Sequence, residues 1–159
     1  LGLCGGYQML GRSIDDPDGI EGRPGKVDGL GLLDVDTIMT GDKQVTLRHA
    51  TALPGGEPVT GYEIHIGRTS GPDCARAWLE IDGRPEGAAS ADGRIRGSYL
   101  HGVFTSDPFR ARYLAEFGQE ALVGYEDGVD QVLDALAQHI EAHLDLDLLL
   151  ELSEPPRGA

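Results

Sequence analysis

Apolar and polar positions along the chain change period twice. Leu1 and Leu3 flank Gly2 ahead of Cys4-Gly5-Gly6, and Tyr7 to Leu10 follow as the opening of a helix that fades near Gly11 to Ser13. Residues 15–31, DDPDGIEGRPGKVDGLG, are dense in Gly with Pro17 and Pro24, which is loop composition. Residues 30–40, LGLLDVDTIMT, and Lys43 to His49 read as strands, and Pro54-Gly55-Gly56 as a turn. Thr60 to Thr69 alternate: Tyr62, Ile64 and Ile66 face one way, and Glu63, His65 and Gly67 the other. Residues 77–81 and 86–90 predict short strands around Asp82-Gly83. After the Asp92-Gly93 turn, residues 94–104 run out as one strand that ends its ordered part at His101. From there the period becomes helical. Ser106-Asp107-Pro108 is a start signal, read with the acid as N-cap and Pro at the first helical position. Phe109, Tyr113 and Phe117 recur every four residues as a core face, and Gly118 is a C-terminal cap. Val129, Val132, Leu133, Leu136, Ile140 and Leu144 predict a second amphipathic helix, and Ser153 to Ala159 a frayed tail. Strands and helices mixed in this way place the chain in the α/β class.

Composition narrows the function. The 159 residues carry a net charge of −14, which argues against nucleic acid and against an anionic membrane surface. No apolar run is long enough to span a bilayer. The two cysteines, Cys4 and Cys74, form no pairing pattern, which fits a reducing cytoplasm. The chain opens without Met, inside a strand that an α/β sheet would hold at its centre. A C-terminal piece of a longer protein is therefore expected.

Three groups of residues carry candidate chemistry. Gly2-x-Cys4-x-Gly6 has the form of a nucleophile elbow, with glycines expected on both sides because a side chain would collide with the tight turn. Read that way, Cys4 stands at a helix start, where free N–H groups favour thiolate and can hold an oxyanion. Read otherwise, it is a small buried hydrophobe between flexible glycines. His101, at a strand end before Gly102, is a candidate base held on a rigid support, or a satisfied histidine. Glu63 and His65 share one strand face as an acid/base or orienting pair, or as an incidental ion pair. His139 and His143 stand one helical turn apart without a third ligand nearby, so no metal site is expected. The Gly-rich loop lacks the Lys-Ser/Thr ending of a phosphate cradle.

Taken together, CGGYQMLG, GLGLLD, GYEIHIGRT, SADGRIRGSYLHGVFTSDPFR and the helical end with HLDLDLLL resemble the class I, triad-type glutamine amidotransferase domain of the cobyric acid synthase family. The resemblance runs over residues 1–150, with 151–159 as a C-terminal tail. It implies a flavodoxin-like α/β sandwich, here N-terminally truncated. Cys4 matches the catalytic thiol and His101 its base; Gly5 and Gln8 match oxyanion and glutamine-holding positions. Tyr62, Glu63 and His65 are candidate orienting or interface residues. Class I enzymes carry Glu two residues after the base; here that position is Val103, as in the resembled subfamily, and the orienter of His101 stays open. The implied reaction is glutamine hydrolysis, with ammonia passed to an N-terminal synthetase domain outside this chain. That domain would use ATP and magnesium to amidate a corrinoid acceptor, adenosylcobyrinic acid a,c-diamide, in cobalamin biosynthesis. No cofactor is expected in the glutaminase domain itself. The alternatives are a related subunit acting for lipid II or cobyrinic acid, a Cys-dependent hydrolase of another substrate, and a non-catalytic interaction module. The fragment alone is expected to have little glutaminase activity.

Overall fold

The computed structural model describes residues 1–41, 43–120 and 124–153. They divide into two compact units between residues 121 and 122. The first is a mixed α/β unit with three sheets.

β1 (Gly2–Leu3) delivers the chain to Cys4, and α1 (Gly5–Leu10) follows at once. α1 stops because Gly11 is extended, and its N–H returns to the Gln8 carbonyl. β2 (Ser13–Asp16) and β3 (Gly25–Asp28) then pair antiparallel, with Ser13 opposite Asp28. Asp16 closes the connection: its carboxylate accepts the Ile20 and Glu21 N–H groups at 2.8 and 3.0 Å. The segment predicted as loop thus contains a strand pair. β3 is fully exposed, so no apolar alternation marks it. β4 (Asp36–Ile38) lies parallel to β2.

β5 (Gln44–Ala52) and β6 (Pro58–His65) form the long hairpin of the unit, with Leu47 opposite Tyr62. β7 (Arg68–Ser70) returns antiparallel to β4, which gives the sheet order β3-β2-β4-β7. After a 3₁₀ turn over Pro72–Arg76 come β8 (Leu79–Ile81), β9 (Arg84–Glu86), β10 (Ala88–Ala89), β11 (Arg96–Ser98) and β12 (Leu100–His101). The strand predicted over 94–104 is therefore broken at Tyr99. β11 lies parallel to β1 in the order β1-β11-β10, whereas β12 joins β12-β6-β5-β8-β9. A second 3₁₀ turn, Val103–Thr105, leads to α2 (Asp107–Ala115). Its N-cap is Ser106 rather than Asp107: the Ser106 hydroxyl accepts the Phe109 N–H, and Pro108 takes the second helical position.

Two apolar clusters hold the unit. Val59, Leu79, Ile81, Leu100, Val103 and Phe109 are essentially fully buried, with Trp78 among them. The Trp78 indole N–H donates to the Gly97 carbonyl at 2.7 Å, which ties this core to β11. The other cluster joins Tyr7, Leu33, Val35, Ala88 and Tyr99 under α1.

The second unit is helical. α3 (Tyr125–His143) is followed by α4 (Leu146–Leu152), whose N-cap Asp145 accepts the Leu148 N–H at 3.0 Å. The predicted amphipathic helix is α3. The His143 ring donates from Nδ1 to the His139 carbonyl at 2.7 Å. Of the expected tail, residues 154–159 lie outside the described residues. Among the described residues no helix is long and apolar enough to cross a membrane, and no group of three metal-ligating side chains occurs.

Candidate active site

Cys4 carries the strained geometry on which the site turns. Its backbone sits at φ 53 and ψ −120, a region that non-glycine residues avoid at a cost of about 1–3 kcal/mol. Four hydrogen bonds fix it there. The Cys4 N–H donates to the Ser98 carbonyl at 2.9 Å, and the Cys4 carbonyl accepts from Tyr7 and Gln8 N–H at 2.9 and 3.2 Å. The thiol donates to the Ile64 carbonyl at 3.4 Å. The glycine requirement is one-sided. A Cβ on Gly2 would stand 2.6 Å from the Gly6 carbonyl oxygen, whereas one on Gly6 meets nothing within 4 Å. The expectation of a steric need at both glycines is corrected accordingly: Gly2 lies under the turn and Gly6 opens away from it.

Gln8 is buried one turn further along α1. Its amide donates to the Ile66 carbonyl at 2.9 Å and to the Tyr99 hydroxyl at 3.3 Å. Cys4, Gly5, Gln8, Lys43, Ile64 and His65 line a cleft of about 250 Å³. Gly5 opens the helix, so its N–H has no acceptor within α1.

His101 ends β12, which lies beside β6. It pairs with Tyr62, and Leu100 with Glu63. Cross-strand partners share a face, so Tyr62 stands beside His101, while Glu63 shares the buried face of Leu100. The Glu63 carboxylate is engaged there by the Arg48 Nε–H at 2.9 Å and faces His65 Nε2 at 3.6 Å. His65 in turn donates from Nδ1 to the Gly67 carbonyl at 2.9 Å and stacks on Tyr99 with centroids 4.3 Å apart. His101 Nε2 is buried with no hydrogen-bond partner among the described residues. Among the described residues no hydrogen bond joins Cys4 to His101. Each touches β6 separately: the thiol bonds the Ile64 carbonyl, and His101 pairs with Tyr62 two residues earlier.

A thiol held in this way above an open helix start can attack a carboxamide, and an imidazole with an unsatisfied ring nitrogen can handle the protons that follow. Cys74 differs. It is half-buried against the Tyr7 hydroxyl at 3.8 Å, and burial pushes its thiol upward. Residues 1–109 match the CobB/CobQ-like glutamine amidotransferase domain.

The chain belongs to this family.

Among curated relatives, the cobyric acid synthase of Ruegeria sp. (strain TM1040) is 65% identical over 155 residues, which cover 98% of this chain and 32% of the relative. Those of Cereibacter sphaeroides (strain ATCC 17025) and Jannaschia sp. (strain CCS1) are 58% and 57% identical, each over 96% of this chain and 32% of the relative. The chain spans about a third of the length of the curated relatives it matches.

Sequence reasoning misses three residues that line this cleft or bond to the elements around it. Lys43 enters the cleft from a strand start with no motif around it. Tyr99 reads as one more strand residue, yet its hydroxyl accepts from Gln8. Glu86 precedes Gly87 in an ordinary turn-bounded stretch, yet its carboxylate is buried against Ser98 and Tyr99. Only the folded chain brings these residues to the cleft and to the strand that bonds Cys4.

Proposed function

We propose that this domain hydrolyses glutamine and supplies the ammonia for a cobyric acid synthase. The strained Cys4 elbow, bonded to Ser98 of β11 three residues before His101, is the observation that supports it. His101 takes the Cys4 thiol proton, and the thiolate attacks the glutamine carboxamide: a C–S bond forms, and negative charge gathers on the oxygen near the Gly5 N–H. As the C–N bond breaks, His101 gives a proton to the leaving ammonia. It then takes one from water, which attacks the thioester to release glutamate and the thiol. Gln8 holds the wall of the glutamine cleft through Ile66 and Tyr99.

In the whole protein the ammonia passes to an ATP- and magnesium-dependent synthetase portion. That portion amidates side-chain carboxylates of adenosylcobyrinic acid a,c-diamide in cobalamin biosynthesis. The names of the relatives and their threefold greater length support this reading. The domain is a flavodoxin-like sandwich in the cytoplasm, and a further strand of the longer chain occupies the side of β1 away from β11. Among the described residues β1 has β11 as its one strand neighbour, and both cysteines are free.

The test is His101→Ala in the intact protein. Glutamine-driven amidation is expected to fall by ~10²–10⁴-fold, the range for a positioned acid–base group, while amidation driven by free ammonium persists. Equal loss with both nitrogen donors would mean that His101 is structural.

A further inference from the structure

The stretch Arg96–His101 serves two sheets, and the switch between them has a cost. Gly97 and Ser98 pair with β1, and the Ser98 carbonyl takes the Cys4 N–H. Leu100 and His101 pair with β6, and the Tyr99 carbonyl takes the Ile64 N–H at 3.2 Å. Tyr99 is the residue of the switch, and its N–H donates to a side chain instead of a strand.

One carboxylate spans the switch. Glu86 Oε1 accepts the Tyr99 N–H at 2.8 Å, and Glu86 Oε2 accepts the Ser98 hydroxyl at 2.7 Å. The Ser98 oxygen then accepts the Leu100 N–H at 2.9 Å. Ser98 and Tyr99 are thereby fixed to one side chain, and Leu100, the residue before His101, is tied to it through the Ser98 hydroxyl. Ser98 and Leu100 are fully buried and Glu86 nearly so, so no water replaces these bonds. Burial holds the Glu86 carboxyl above its ordinary range even with both donors in place. The surrounding fold has its own support in the Trp78 bond to Gly97 and the packing of Leu100, Val103 and Phe109.

We infer that Glu86 is a positioning residue for the nucleophile and base, setting the spacing of Cys4 and His101 by clamping the strand switch between them. The inference rests on the glutaminase reading above. Without the carboxylate the Tyr99 N–H is orphaned, and the strand relaxes between the Cys4 bond and His101. A displacement near 1 Å at such a pair lowers turnover by about 10²-fold.

The experiment compares Glu86→Ala, Glu86→Gln and Ser98→Ala in the intact protein, with glutamine and with ammonium as nitrogen donor. Glu86→Ala is expected to lower glutaminase kcat by about 10–100-fold with KM for glutamine unchanged and ammonium-driven amidation retained. Glu86→Gln is expected to recover most of kcat, because its amide oxygen still accepts the Tyr99 N–H and its NH₂ can donate to the Ser98 oxygen. Ser98→Ala, which cuts one arm of the clamp, is expected to fall between them. Wild-type kcat in Glu86→Ala overturns the inference, as does a matching loss of ammonium-driven amidation. If Glu86→Ala does not fold, wild-type kcat in Ser98→Ala or no recovery in Glu86→Gln overturns it. A wild-type protein that amidates from ammonium but hydrolyses no glutamine would overturn the glutaminase reading instead.

Discussion

The two glycines of the elbow look equivalent in the motif and are not equivalent in the fold, which makes Gly2→Ala against Gly6→Ala a discriminating pair. A Cβ on Gly2 would lie 2.6 Å from the Gly6 carbonyl oxygen and 2.6 Å from Leu10 Cδ1. The leucine methyl can swing aside; the carbonyl belongs to the backbone of α1. Ordinary carbon-to-oxygen approach is about 3.3–3.6 Å, so the turn must open by about 0.7–1 Å. Overpacking of this kind costs about 1–3 kcal/mol. Because the displaced turn carries Cys4, a shift of that size is also expected to lower glutaminase turnover by ~10²-fold. Gly6→Ala meets open space at the start of a helix, so it is expected to keep turnover and to add about 0.5–1 kcal/mol of stability. Glutamate release by the intact protein gives the first quantity and a urea midpoint the second. If both variants behave alike, the elbow tolerates a side chain at Gly2 and the steric account of its strain is wrong.

Three further outcomes follow from the same geometry. A diazo-ketone analogue of glutamine is expected to alkylate Cys4 and spare Cys74, whose thiol burial pushes up beside Tyr7; peptide mapping that finds the label chiefly on Cys74 would displace Cys4 as nucleophile. Burial raises the Glu86 carboxyl above 4.5, so the folded state binds its proton more tightly than the unfolded chain, and this contribution to stability is lost as pH rises through the folded value. The Tm of wild type minus that of Glu86→Gln should therefore decline as pH rises above the ordinary carboxyl range, and a flat difference would show that the two hydrogen bonds cancel the burial effect. Gly97→Ala would set a Cβ 2.0 Å from the ring of Tyr7, itself 2% exposed, so a lower urea midpoint corresponding to at least about 1–3 kcal/mol is expected; an unchanged midpoint would mean that the ring is free to move.

Local chemistry in the sequence determined the parts of this protein that depend on neighbours in the chain. Gly2-x-Cys4-x-Gly6 encodes the turn because a positive φ at Cys4 needs a small residue beneath it, and that is readable without any distant contact. The start of the helix at Pro108, the α3 stripe and the turn and strand character around β5 and β6 were legible for the same reason: periodicity and turn residues act over a few positions; the aromatic face predicted after Pro108 is buried at Phe109 but exposed at Phe117, beyond the end of α2. Family membership was legible from blocks in order, and the match over residues 1–109 agrees. Tertiary structure decided what joins those blocks. The strand leading to His101 breaks at Tyr99 because Ser98 belongs beside β1 and Leu100 beside β6, and nothing in residues 94–104 states that two sheets compete for them. The pair β2–β3 escaped notice because an exposed strand needs only backbone partners, and those carry no side-chain signature. Glu63 lies on the buried face with Leu100 because antiparallel register, not sequence distance, sets which residues share a side. Glu86 meets Ser98 and Tyr99 across a hairpin because burial leaves an orphaned N–H no other acceptor, a requirement that exists only once the chain has folded.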